Sequence, residues 1–282
     1  MLALLMLLLM LGGVLAACAS QPPTAQTPPE PAPTSAPAAT AAPDQPATAA
    51  PAPTAAPEPV TGGTVTIGLD SEPPTLDPHA SPSAITFFIT ASVGESLLYL
   101  DENRELKPWL AESWEVEDDG ASFVFKLRED VTFQDGTPFN AEVVKWNFDR
   151  IVDPNYAAGS SRTALVGYTG TEVVDEYTAK VTFEEPYAPF LTYAAAGTLA
   201  MLSPEGTQAQ GDEVNATPIM SGPYQITEYL PRESITITRW DGYNRTLPWT
   251  DRAGPGIPDQ VIWKFIPEAG TRIATVESGE TQ

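Results

Sequence analysis

The sequence is poor in the residues that most chemistry needs. Among 282 residues it has one cysteine, one histidine and only 14 lysines and arginines. A single cysteine, Cys18, builds neither an internal disulfide framework nor a thiolate zinc site. A single histidine leaves too few imidazoles for the usual transition-metal centres, and His79 is the only candidate base for a Ser–His or Cys–His mechanism. The 14 basic residues face 37 acidic ones, for a net charge of −23. Phosphate backbones need a basic face, so nucleic acid is excluded as a partner. The sequence also contains no Gly-x-Ser-x-Gly elbow, no His-Glu-x-x-His pair and no phosphate loop. No internal repeat is visible.

What the sequence does have is divided unevenly along it. Residues 1–17 are uncharged and almost wholly apolar, slightly short of the roughly 20 residues that span a bilayer. They read as the apolar core of an export signal. The run closes Leu15-Ala16-Ala17-Cys18, which resembles a bacterial lipobox. That resemblance implies cleavage before Cys18 and a diacylated cysteine as the mature N-terminus. The expected place is outside the cytoplasm of a bacterium, either periplasmic or held by lipid to the outer face of the cytoplasmic membrane.

Residues 18–61 form a second region. Of positions 19–59, 33 are proline, alanine or threonine, and no aromatic or large aliphatic side chain occurs among them. Such a stretch buries too little apolar surface to offset its ordering entropy. Its prolines favour extended polyproline II, so it reads as a semi-rigid tether.

From Gly62 the composition is globular, with enough residues for one large or two small domains. Period-two alternation predicts a strand over 64–69, and helical spacing predicts a helix from Ala84 to Ser96 capped by Ser83. Strands are expected at 122–127, 224–229, 235–240 and 260–266, and a hairpin joins 171–174 to 178–183. Asn140 is placed to cap a helix ending near Val152, with Phe139 and Val144 as a hydrophobic staple. A last helix is expected over 268–278. Strands interleaved with helices and hairpins indicate an α/β or α+β fold with a mixed sheet.

Several segments also occur in a recognisable order. Gly62-Gly63-Thr64 is followed by Glu72-Pro73-Pro74-Thr75-Leu76-Asp77-Pro78-His79, then by Pro108-Trp109-Leu110-Ala111-Glu112-Ser113-Trp114 and Phe125-Lys126-Leu127-Arg128. Next come Phe133-Gln134-Asp135-Gly136-Thr137-Pro138-Phe139-Asn140-Ala141-Glu142, Ser221-Gly222-Pro223-Tyr224 and Trp240-Asp241-Gly242-Tyr243. In order and spacing, residues 62–282 resemble the family 5 extracellular solute-binding proteins of ABC importers, which include oligopeptide, dipeptide and nickel binders.

The resemblance implies a type II periplasmic-binding-protein-like fold. Lobe I would comprise 62–97 and 188–282, and a smaller subdomain 98–187. It implies a lipid-anchored protein that captures a peptide-like solute and delivers it to ABC permease subunits, without catalytic residues, metal or other cofactor, and touching the membrane only through its lipid. Carried over by position, Pro82, Ser83 and Ala84 fall at the solute, as do Ser221 and Gly222, while Trp240 and Tyr243 fall at the cleft or in the core. The family is roughly twice as long, and its second lobe follows a Gly-Glu-x-Asp segment comparable to Gly279-Glu280-Thr281-Gln282. The chain is therefore expected to be a C-terminally truncated fragment whose second lobe is missing. The alternatives are a secreted hydrolase, for which 37 carboxylates offer pairs, and an adhesive surface lipoprotein on a proline-rich stalk.

Overall fold

The computed structural model describes residues 62–81 and 83–282. The export signal, Cys18, the tether and Pro82 lie outside the described residues. Among the described residues there are ten strands, arranged as three sheets, and six α-helices. The first sheet joins β1 (Thr64–Leu69) to β10 (Gln260–Phe265), β9 (Ser234–Arg239) and β8 (Tyr224–Leu230), in that order. β1 runs parallel to β10, and the remaining pairs are antiparallel. The second is a short hairpin of β2 (Leu98–Leu100) and β3 (Leu106–Pro108). The third orders β4 (Ala111–Val116), β5 (Ser122–Leu127), β7 (Thr178–Phe183) and β6 (Tyr168–Asp175), all antiparallel. The fold is mixed α/β.

The helices follow their local signals unevenly. α2 (Ala141–Val152) starts where Asn140 accepts a hydrogen bond from the Val143 amide at 3.2 Å, which satisfies one of the free N–H groups of the first turn. Its apolar stripe of Val143, Val144, Phe148 and Ile151 is buried against the third sheet. There Phe148 packs edge-on with Phe190, which in turn meets Phe123, Phe125 and Phe183. α1 begins at Ala84 as expected, with the Ser83 hydroxyl accepting from the Ile85 amide, but it stops at Thr90. The apolar run that follows is drawn out of the helix because other segments claim its carbonyls. Gly222 donates to Val93, Met201 to Glu95, and Leu110 to Ser96. Short elements without a clear period were not legible: β2, β3, α3 (Ser161–Ala164), α4 (Phe190–Tyr193) and α5 (Pro204–Gln210). The last helix, α6, spans Ala269–Glu277.

Side chains of the third-sheet layer fasten it to the first. Gln134 is one bolt: its amide nitrogen reaches the carbonyls of Tyr224 at 2.7 Å, Val93 at 3.2 Å and Gly222 at 3.3 Å, and its side-chain oxygen accepts from the Met220 amide. Asn147, fully buried on α2, pairs with both the N–H and the C=O of Leu202. Each bond satisfies a backbone group that burial would otherwise strand.

Candidate functional site

Two buried polar networks lie where these layers meet. The first is built around Glu95, in the apolar stretch Val93–Leu98 that follows α1. Its carboxylate is 1 % exposed and accepts from the Ser221 hydroxyl at 2.7 Å, the Tyr243 hydroxyl at 3.0 Å and the Trp109 indole at 3.1 Å. The Arg245 guanidinium, itself buried, pairs with the same carboxylate, donates to the Ser221 carbonyl at 3.0 Å and lies over the Tyr243 ring. Burial pushes the Glu95 carboxyl above its ordinary range, against the pull of Arg245, Ser221 and Tyr243.

The second network holds the loop before α1. Asp77, buried, forms a two-point pair with Arg150 of α2 and accepts from the Tyr156 hydroxyl at 2.8 Å. Arg150 also donates to Nδ1 of His79 at 2.9 Å, so that ring nitrogen is an acceptor and Nε2 carries the proton donated to the Ala200 carbonyl. Burial pushes the His79 pKa down to about 4, with Arg150 acting the same way against Asp77 and the Ala200 carbonyl. Burial alone would raise Asp77, but the bonds from Arg150 and Tyr156 and the charge of Arg150 hold it below the usual carboxylate range. His79 is therefore a neutral structural group with no water-accessible edge.

The structure divides the residues expected at a ligand into two sets. Ser221, Gly222 and Tyr243 converge on Val93–Glu95. Their hydroxyls are spent on Glu95, and the Gly222 amide is spent on the Val93 carbonyl at 2.8 Å. Trp240 stands beside them, half-buried, its amide held by the Pro223 carbonyl and its indole against Gly242. Ser83 and Ala84 lie at the other end of α1, and Ala84 is exposed. Here Ser160 donates to the Ser81 carbonyl at 3.1 Å and meets the Thr198 hydroxyl at 3.3 Å. The loop 159–161 also grips the His79 carbonyl through Gly159 and Ser161. Two cavities, about 490 Å³ against α2 and 430 Å³ against α6, are lined by none of the six expected ligand residues that are described. Among the described residues no group of three His, Cys, Asp or Glu side chains is placed to hold a metal ion, and no helix is long and apolar enough to cross a membrane.

Sequence reasoning missed Glu95, Arg245 and Trp109. The available signal was one carboxylate in an apolar run, Val93-Gly94-Glu95-Ser96-Leu97-Leu98, which burial obliges to find a cation.

The family described as "Bacterial extracellular solute-binding proteins, family 5 Middle" matches residues 105–282. The glutathione-binding protein GsiB of Escherichia coli K12 is 34 % identical over 221 residues, covering 77 % of this chain and 41 % of that protein. The chain thus spans about two fifths of the length of the curated relatives it matches. Among solved structures, the binding protein AgaA from A. tumefacien R10, in complex with agropinic acid, superposes with a TM-score of 0.69 at 29 % identity, over 78 % of this chain and 43 % of that one. NikA from Brucella suis, in complex with Fe(III)-EDTA, superposes at 0.67 and 30 % identity, over 78 % and 42 %.

Proposed function

The chain belongs to the family 5 bacterial extracellular solute-binding proteins, and from that premise we propose that it forms one side of an extracytoplasmic site that captures a peptide-like solute for an ABC permease. The observation that carries the reading is the exposed start of α1. Ala84 is open to solvent while its surroundings are fixed from behind, by the Asp77–Arg150–His79 bonds and by the 159–161 loop. A surface held in this way meets a ligand without a further ordering cost. The peptide-like assignment is supported by the relative whose name gives glutathione, itself a small peptide.

In this reading Ser83, Ala84 and the adjoining Pro82 touch the solute. Gly222 and Trp240 border it, and Ser221 and Tyr243 hold that border in place through Glu95. Residues 62–97 with 188–282 act as one lobe and 98–187 as the smaller subdomain. Capture needs no covalent step, so no residue is assigned a catalytic role. Cys18 carries the lipid that keeps the protein at the membrane, and the proline-rich segment 18–61 gives the domain its reach.

The test is a chimera in which residues 62–282 replace the matched stretch of the glutathione-binding relative. Calorimetry with glutathione and a set of di- to tetrapeptides is expected to give saturable one-to-one binding. Ala84→Trp is expected to weaken that binding at least tenfold with an unchanged thermal midpoint. A folded chimera that binds none of these solutes, or an Ala84→Trp variant of undiminished affinity, would contradict the reading.

A further inference from the structure

The segment between α5 and β8 carries a pattern that solute capture does not use. It reads Glu213-Val214-Asn215-Ala216-Thr217, an Asn-x-Thr whose middle residue is not proline. In a protein of an extracellular family that spacing marks an acceptor for N-linked glycosylation. The hydroxyl two positions after the asparagine helps the transferring enzyme hold the amide. An acidic residue two positions before it, as Glu213 is here, is the extended form in which bacterial acceptors occur. The other Asn-x-Thr of the sequence, Asn244-Arg245-Thr246, has Gly242 at that place.

The fold leaves Asn215 able to carry a sugar. It closes a 3-10 helix over Gly211–Asn215, in which Gly211, Asp212, Glu213 and Asn215 are all exposed. The Asn215 side-chain oxygen accepts from the Thr75 hydroxyl at 2.9 Å, and its nitrogen donates one hydrogen to the Asp212 carbonyl at 3.0 Å. A side-chain amide nitrogen has two hydrogens, and a glycan takes the place of one. Glycosylation therefore leaves enough hydrogens for both bonds to persist. The Asn215 backbone carbonyl, which accepts from the Leu76 amide at 2.7 Å, is not touched by the change.

We propose that Glu213–Thr217 is a glycosylation site, at which Nδ2 of Asn215 takes an oligosaccharide from a polyprenyl-diphosphate donor as the chain is exported. The nitrogen bonds to the anomeric carbon of the first sugar. The bond from that carbon to the diphosphate oxygen breaks, and its electron pair leaves with the polyprenyl diphosphate. The nitrogen gives up one proton to a base of the transferring enzyme. Transfer precedes folding, because in the folded chain the Thr217 hydroxyl is taken by Gln210 at 3.2 Å and the Asn215 backbone by Leu76. Folding then sets the glycan outside, beside Thr75 in the loop that leads to α1.

The test expresses the chain in a bacterium that carries an oligosaccharyltransferase and its lipid-linked glycan. The host's own export signal precedes the chain, so that a blank result reports on the acceptor and not on export. Peptide mass spectrometry is expected to find one glycan, on Asn215, with Asn244 at least tenfold less occupied. Thr217→Ala and the surface change Glu213→Gln are each expected to lower occupancy at Asn215 at least tenfold. The glycosylated and plain proteins are expected to melt within about 2 °C of each other, no more than the loss of one hydrogen bond would produce. An exported chain bare at Asn215, or one modified as readily at Asn244 or in the Glu213→Gln variant, would overturn the proposal. A glycosylated form that melts well below the plain one would overturn it as well, by showing that the sugar displaces the bonds of Asn215.

Discussion

The Tyr243 hydroxyl donates to the Glu95 carboxylate at 3.0 Å, across 148 positions of sequence. With Arg245 and Ser221 on the same carboxylate, this bond ties the segment after α1 to the loops that precede β8 and follow β9. Removing the carboxylate leaves the Arg245 guanidinium buried without its counter-charge. Glu95→Ala is therefore expected to cost about 3–5 kcal/mol, the usual penalty for half of a buried pair. Glu95→Gln keeps one acceptor oxygen, enough for either Ser221 or Tyr243, and is expected to cost less than the alanine. Replacing Glu95 and Arg245 together by Leu and Met is expected to recover much of the loss. Urea denaturation of the four proteins checks the ordering.

The His79 ring gives a pH dependence of definite sign. Its pKa falls from 6.5 to about 4 on folding, through burial first, so the unfolded chain takes up a proton that the folded chain refuses. The contribution is fully present above pH 6.5 and is lost as pH falls from there to about 4. It amounts to roughly 3 kcal/mol over that interval. Asp77, held below its ordinary range, loses its own contribution only at still lower pH. His79→Gln, which keeps a donor for the Ala200 carbonyl, is expected to flatten the slope between pH 6.5 and 4 relative to the unaltered protein. Denaturation midpoints at a series of pH values measure it.

Asn147 is expected to be intolerant of apolar replacement. Its amide satisfies both backbone groups of Leu202 in a fully buried position. Asn147→Leu strands a donor and an acceptor at about 1–3 kcal/mol each. A thermal melt of the variant should show a large drop, and a change near zero would mean that water or another group replaces the amide.

Gly222 tests close packing. A Cβ there would stand 2.6 Å from the Val93 carbonyl carbon and 2.7 Å from its oxygen, both backbone atoms that cannot swing aside. Gly222→Ala is expected to destabilise by about 1–3 kcal/mol, whereas Gly136→Ser, where the space is open, is limited to the strain of its left-handed φ of 86°. Equal losses at the two positions would contradict the close approach of 222 to 93.

How far the fold was legible depended on whether a signal was local. β1 was readable to its last residue because its alternation needs no partner to be seen, and α2 because Asn140 and the stripe behind it lie within one stretch. α1 was read too long because residues 91–96 look helical alone, and their backbone is diverted by Gly222, Met201 and Leu110 from elsewhere in the chain. The same limit applied at the site. Ser221 and Tyr243 stood out in sequence, but the carboxylate that gathers them lies more than a hundred positions away. Nothing in local spacing announces such a pair. Only the oddity of a charge in an apolar run does, and it names neither the partner nor the side from which it comes.

The most direct test of the proposed function is calorimetric titration of two proteins with the same solutes, the chain alone and the chimera that completes it with the rest of the glutathione-binding relative. A one-sided surface leaves a solute's polar groups in water, so the chain alone is expected to bind no tighter than about 1 mM. The chimera is expected to bind a peptide-like solute at least a hundredfold tighter, with Ala84→Trp reversing most of the gain. A chimera that folds and binds none of the peptides would contradict the account, and so would one whose affinity ignores Ala84.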